Sequence, residues 1–222
     1  MKQVSAMKYF LLLSLSLFLM LTSSCSTDDE QDNYPEFELQ TPDEFADEDY
    51  EIYNLFIEQY NKPKIVILQE SLFNSSINEM VSYTAEDFGL KSHWESIYPD
   101  FDSALLIRLE EVNREAKFFG PKFNEAEKSI ILITEEELNY ISEMTPKGNE
   151  YFDSFWNFYY DRYPDSQGYL SLSLISYNSL KDQAVIEFAN SCGGLCGDYG
   201  LAYFRKVNGV WQLADVRILV MS

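Results

Sequence analysis

The sequence predicts an α+β domain in which N-terminal helices with short strands pack on a C-terminal antiparallel meander of about four strands. Three observations carry this. Apolar residues recur at helical spacing through the first two thirds of the 222-residue chain, most regularly at Phe152, Phe155, Trp156, Tyr159, Tyr160 and Tyr163. Beyond Gly168 the apolar period changes to two. Near the C-terminus Asn208-Gly209 separates two apolar runs, the strongest local sign of a β-hairpin.

Taken in order, residues 49–61 place Tyr53, Phe56, Ile57 and Tyr60 on one stripe of an acidic helix, which Pro63 stops. Lys64 to Leu68 is a short β-branched run that reads as a strand buried on both faces. Residues 76–100 carry little pattern, although Thr84 and Asp87 can cap a short helix. From Asp102 a helix is expected with Leu105, Leu109, Val112 and Ala116 on one face, ended by Gly120-Pro121. Ser129 to Ile133 is a second short strand. Thr134 followed by Glu137 has the form of a capping box and opens a helix running to Pro146. The aromatic stripe from Phe152 to Tyr163 reads as a buried helix face. Leu170, Leu172 and Leu174 alternate with serines as a half-buried strand, and Ala184, Ile186 and Phe188 alternate likewise. Leu201 to Val207 and Val210 to Val220 complete the meander.

The first 24 residues are set apart from this domain. Lys2 and Lys8 precede an apolar run from Tyr9 to Leu21, which breaks into Thr22-Ser23-Ser24-Cys25. A basic start, a short apolar stretch and small residues before a cut make a secretory signal, and the run is shorter than the ~20 apolar residues that span a bilayer. The cysteine after the small residues makes the segment resemble a bacterial lipoprotein signal. That resemblance implies cleavage before Cys25 and lipidation of its sulfur. Ser26-Thr27-Asp28-Asp29-Glu30 is similar to the short acidic signal that sends lipoproteins to the outer face of the outer membrane in one group of Gram-negative bacteria. Cell-surface display is therefore expected, with the periplasmic face as the alternative. Residues 25–48, rich in acids and holding Pro35 and Pro42, read as a disordered acidic tether, leaving 49–222 as one domain.

Composition narrows the partners. The chain has 16 Lys and Arg against 37 Asp and Glu, a net charge of −21, and neither Lys nor Arg occurs between Lys8 and Lys62. Such a field repels phosphate backbones and excludes nucleic acid. It attracts a basic protein partner or a cation and accelerates that encounter, while its plainest role is to keep a tethered domain soluble.

With Cys25 assigned to the lipid, Cys192 and Cys196 remain as a pair in an oxidising compartment, and a disulfide is expected between them. Gly193, Gly194 and Gly197 supply the positive φ that so tight a loop is expected to need. The C-x3-C spacing, with no helix start after it, speaks against a redox centre. No metal site is expected, because His93 is the only histidine and the acids lack the spacing of a calcium loop. No catalytic residues are assigned. His93 has no nucleophile elbow near it and reads as a surface histidine on a short helix. No phosphate-binding glycine loop is present, and no cofactor is called for. A carboxylate pair acting on envelope glycan remains as an enzymatic alternative that the sequence does not narrow to residues.

The order Tyr163-Pro164-Asp165-Ser166-Gln167-Gly168, Asp182-Gln183-Ala184-Val185, Cys192-Gly193-Gly194-Leu195-Cys196-Gly197 and Lys206-Val207-Asn208-Gly209-Val210-Trp211 is similar to the C-terminal pattern of uncharacterised bacterial exported proteins. The resemblance covers about the last third of the chain and implies a strand-loop-strand-turn-strand arrangement, with no activity attached. The expected function is a lipid-anchored envelope or surface protein whose domain binds another molecule, a basic protein or an envelope glycan. An acidic immunity or inhibitor lipoprotein is a variant of that reading, and a glycan hydrolase is the alternative to it.

Overall fold

The computed structural model describes residues 34–73, 89–123, 128–145 and 151–221. The signal segment, Cys25, the acidic run at 28–30 and the Thr84/Asp87 cap lie outside the described residues.

Helix α1 spans Asp47–Ile57 and leads to strand β1, Lys64–Leu68. Two short helices follow, α2 at Leu90–Ile97 and α3 at Ala104–Val112. Strand β2, Ser129–Ile133, precedes the helix pair α4, Glu135–Met144, and α5, Tyr151–Arg162. The C-terminal part holds β3 at Ser166–Leu172, β4 at Ser176–Tyr177, β5 at Gln183–Gly193, β6 at Cys196–Val207 and β7 at Val210–Met221. The strands form one mixed sheet in the order β2-β1-β3-β5-β6-β7, with β4 paired to β5 off that path. The antiparallel meander is present as β3-β5-β6-β7. Strands β1 and β2 join it edge-on and parallel to β3, as expected of strands returned by intervening helices. The α+β class holds.

Both faces of this sheet are covered, and that corrects the expectation of half-buried strands. Ala184, Ile186, Phe188, Ala202 and Phe204 pack with Ile52, Tyr53 and Phe56 of α1. The alternate residues Val185, Leu201 and Tyr203 pack with Leu90 and Trp94 of α2 and with Leu105 and Leu109 of α3. Ser171 and Ser173, the polar positions of the β3 alternation, are therefore also buried. Ser173 is satisfied locally: its hydroxyl donates to the Leu174 carbonyl and accepts from the Glu187 amide. A buried serine with a full set of partners costs little, so its alternation with leucine does not mark solvent.

Helix α3 ends at Val112, short of the predicted Gly120-Pro121 stop, and Ala116 is not on it. Buried Asn113 causes this. Its amide donates to the Leu109 carbonyl at 2.7 Å and its oxygen accepts from the Leu174 amide at 2.8 Å. The side chain thus takes the place of the next helical turn. The Thr134 hydroxyl accepts from the Glu137 amide as predicted. The reciprocal half of the box is replaced, because the Glu137 carboxylate accepts from the Tyr163 hydroxyl instead. Asn208 and Gly209 both adopt positive φ, 54° and 82°, the conformation of a type I′ hairpin turn.

The expected tether is partly structure. Residues 37–46 run as a strap over the domain. The Gln69 side chain accepts from the Gln40 amide and donates to the Gln40 carbonyl, both at 2.8 Å. Asp43 donates its amide to the Phe118 carbonyl and accepts from the Phe118 amide. Phe45 packs against Phe119 at 5.1 Å between ring centroids. The compact unit accordingly begins at Phe37, twelve residues before the predicted boundary at 49. The C-terminus of α1 is closed by Lys128, whose ammonium donates to the carbonyls of Ile57, Glu58 and Tyr60. A cation there satisfies orphan carbonyls and opposes the helix dipole.

Candidate functional site: the disulfide-clamped end of the sheet

Strand β5 runs two residues past its last pair with β3, Tyr169–Ser191, and joins β6 through the turn at Gly194-Leu195. Cys192 and Cys196 form a disulfide with Cα atoms 5.1 Å apart, and Gly193 faces Cys196 in the ladder. The left-handed glycines among the described residues are Gly89, Gly168 and Gly209, so the turn closes without the positive φ expected of its own glycines. What demands glycine here is close approach. A Cβ on Gly193 would stand 3.2 Å from the Cys196 Cβ, and one on Gly168 (φ +78°) would stand 1.8 Å from the Ser191 carbonyl oxygen. Gly168 thus lets β3 pass directly beneath the residues that carry the disulfide.

Two side chains hold Cys192 from either side. The Tyr160 hydroxyl of α5 donates to the Cys192 carbonyl at 2.8 Å. The Asn190 amide lies 3.7 Å from the Cys192 sulfur. Beyond this clamp the turn meets solvent, with Leu195 92% exposed. The register places the end of β7 beside it, since Met221 faces Asp198 and Val220 faces Tyr199. Met221 is 78% exposed, and Ile218 and Val220 are exposed as well. The β5–β6 turn and the end of β7 therefore each carry large solvent-facing apolar side chains, and such groups, where they form one patch, mark contact surfaces.

The aromatic stripe of α5 flanks this end. Tyr159 and Tyr163 are buried as expected, while Phe155, Trp156 and Tyr160 are half-buried; the Phe152 side chain lies outside the described residues. Trp156 stacks on Tyr169 at 6.0 Å and 18°, which occupies one face of the indole. On the α1 side of the sheet, Asn190 and Asp198 face each other. One Asp198 carboxylate oxygen is buried without a hydrogen-bond partner. Burial raises the Asp198 carboxyl, and burial together with the Asp198 charge raises the Tyr60 hydroxyl. A recess of about 10 Å³ lined by Tyr60, Lys64, Gln167, Gly168 and Asn190 lies there, room for one water.

A second chemical feature was not legible beforehand. Glu187 of β5 points to the α3 side of the sheet between apolar neighbours. Burial pushes its carboxyl up to about 7, against a hydrogen bond from Tyr199 that lowers it and the charge of Glu110 on α3 that raises it. A carboxyl neutral near pH 7 is able to donate a proton. Its signal in the sequence is an acid inside the apolar run Ala184-Val185-Ile186-Glu187-Phe188-Ala189. Neither described cavity, this recess or a groove of about 450 Å³ along α1 lined by Asp47, Glu51, Glu58 and Lys122, is lined by Glu187.

His93 sits on α2 at the surface, its Nε2 3.6 Å from an Asp215 carboxylate oxygen that also accepts from Trp94 Nε1 at 2.8 Å. The nearby Ser96 hydroxyl donates to the His93 carbonyl rather than meeting the ring, so no nucleophile is aligned with the imidazole. Among the described residues no group of three potential ligands gathers for a metal ion, and no helix is long and apolar enough to cross a membrane. Comparison with protein-family models, curated proteins and solved structures finds no match to this chain.

Proposed function

We propose that the chain is an exported binding protein of the bacterial envelope, anchored through a lipid on Cys25 at the outer membrane and facing the cell surface. Its partner is a basic protein, engaged through the disulfide-clamped end of the sheet. The carrying observation is Leu195, a large apolar side chain held in solvent on a turn that a disulfide and the Tyr160 hydrogen bond keep in shape. Fixing the turn backbone that presents this side chain removes part of the entropy that association otherwise costs. The net charge of −21 supplies long-range attraction for a basic surface.

The test is affinity capture from detergent-solubilised native envelopes under non-reducing conditions, with the wild-type protein and a Leu195→Asp, Met221→Asp variant side by side. A stoichiometric basic partner retained by the wild type, lost by the variant and released at high salt supports the reading. Equal retention by both proteins sinks it.

A carboxylate-dependent glycan hydrolase is the second reading, and Glu187, although it lines neither described cavity, is the acid to test for it. Muralytic or glycosidase activity that disappears in Glu187→Gln while the fold is retained would establish it; a wild-type protein inert on envelope glycans removes it.

A further inference from the structure

A disulfide between cysteines four positions apart is a poor staple. Loop-closure entropy for so short a ring is worth about 2 kcal/mol at most. Here it is smaller still, because the ladder already pairs Ser191 with Gly197 and Gly193 with Cys196 on either side of the turn. The domain also buries two extensive apolar clusters without its help. Stability therefore gives little reason for the bond.

Its surroundings are asymmetric in a way that suits chemistry. Cys196 is exposed, while Cys192 is partly covered. Cys192 is fixed through its carbonyl by the Tyr160 hydroxyl and through its sulfur by the Asn190 side-chain N–H. Asn190 itself is 5% exposed and anchored in β5. Thiol–disulfide exchange needs an accessible sulfur to attack and a stabilised sulfur to leave. Here the two requirements fall on different cysteines.

We propose that Cys192–Cys196 is an exchangeable disulfide, attacked by an incoming thiolate at the Cys196 sulfur, with the Cys192 thiolate leaving onto the Asn190 amide. The reductant is a dithiol. Its first thiolate forms a mixed disulfide with Cys196 as the Cys192–Cys196 bond breaks. Its second thiolate then attacks its own bridging sulfur and releases Cys196. Two electrons pass to the protein and the dithiol becomes a disulfide; run backwards, the same steps let the reduced protein reduce a disulfide substrate. Asn190 acts as a positioning residue, by holding the sulfur on which negative charge develops. The proposal does not depend on the binding reading above, because it concerns bond exchange and not partner capture.

The test uses the full-length oxidised chain under native conditions, with reduced glutathione as the probe and an acid quench. Mapping the trapped adduct should place glutathione on Cys196 at least about tenfold more often than on Cys192. Asn190→Ala should slow reduction several-fold at unchanged adduct position, while Asn113→Ala, a similarly buried asparagine far from the disulfide, should leave the rate unchanged. Should Asn190→Ala fail to fold, Cys196→Ser carries the question. Alkylation of its Cys192 thiol, read on the Cys192 peptide so that Cys25 does not contribute, should follow a pH profile below the ordinary cysteine value of about 8.5. Adducts shared equally between the two cysteines, reduction only after denaturation, or an ordinary Cys192 profile would each overturn the proposal.

Discussion

Replacing Glu187 by glutamine changes one proton and little else. Glutamine keeps an oxygen to accept from Tyr199 and nearly the same volume. In the folded protein the Glu187 carboxyl holds its proton until about pH 7, against an ordinary value of 4.5, chiefly because burial penalises the charge. A raised carboxyl binds more protons folded than unfolded between those two values. Its contribution to stability is therefore undiminished below pH 4.5 and is lost as pH rises through 7. At about 1.4 kcal/mol per pH unit, and allowing for the solvent that still reaches the residue, the loss is about 2–3 kcal/mol. Urea denaturation of wild type and Glu187→Gln at intervals from pH 4 to 8 reads this directly. The two proteins should be of similar stability at the acid end, and the variant should be the more stable by about 2–3 kcal/mol at pH 8. Parallel stability curves would show that Glu187 ionises as a solvated carboxylate and that the burial argument is wrong.

Further expectations concern the elements around the site. Lys128→Met leaves the carbonyls of Ile57, Glu58 and Tyr60 without the ammonium and should cost about 1–3 kcal/mol in urea denaturation. Glu48, lowered by its hydrogen bonds from Lys206 and Trp211, contributes stability above the ordinary glutamate range that fades as pH falls through its folded value. Glu48→Gln should therefore flatten the acid limb of the stability curve, by no more than about 1 kcal/mol at this half-exposed pair. Gly168→Ala places a methyl 1.8 Å from the Ser191 oxygen at φ +78°. It should lower the melting temperature sharply, by a loss of more than about 2 kcal/mol. Converting both Cys192 and Cys196 to serine should cost about 2 kcal/mol or less, read as a small shift in the same melt.

What the sequence disclosed was local. Asn208-Gly209 announces its own turn, because only residues tolerant of positive φ suit it. The unbroken apolar run at 64–68 announces a buried strand, whereas the similar run at 129–133 forms a strand that the sheet places at its edge, only partly buried. What it withheld depends on residues far away in the chain. Whether Ser171 and Ser173 face water is decided by which elements cover that side of the sheet. Asn113 ends α3 only because the Leu174 amide comes to meet it across 61 positions. The same holds at the site. The Cys192–Cys196 pair was legible from spacing, whereas the exposed company of Leu195 and Met221 follows from the β6–β7 register. Glu187 was visible as an acid in an apolar run, but only the packing of Tyr199 and Glu110 around it makes it unusual.

The strap at 37–46 bears on where the domain is able to search. With Cys25 as the proposed anchor, the segment between it and the compact unit ends at Phe37 and not at residue 49, so its greatest possible span is about 40 Å instead of about 80 Å. The volume within reach at full extension falls about eightfold. The two hydrogen bonds between Gln40 and Gln69 thereby act as a length setting. Replacing Gln69 by leucine would hand back only the stretch before Asp43, whose bonds to Phe118 remain, without touching the Leu195 turn, and would extend the reach toward partners on a facing surface.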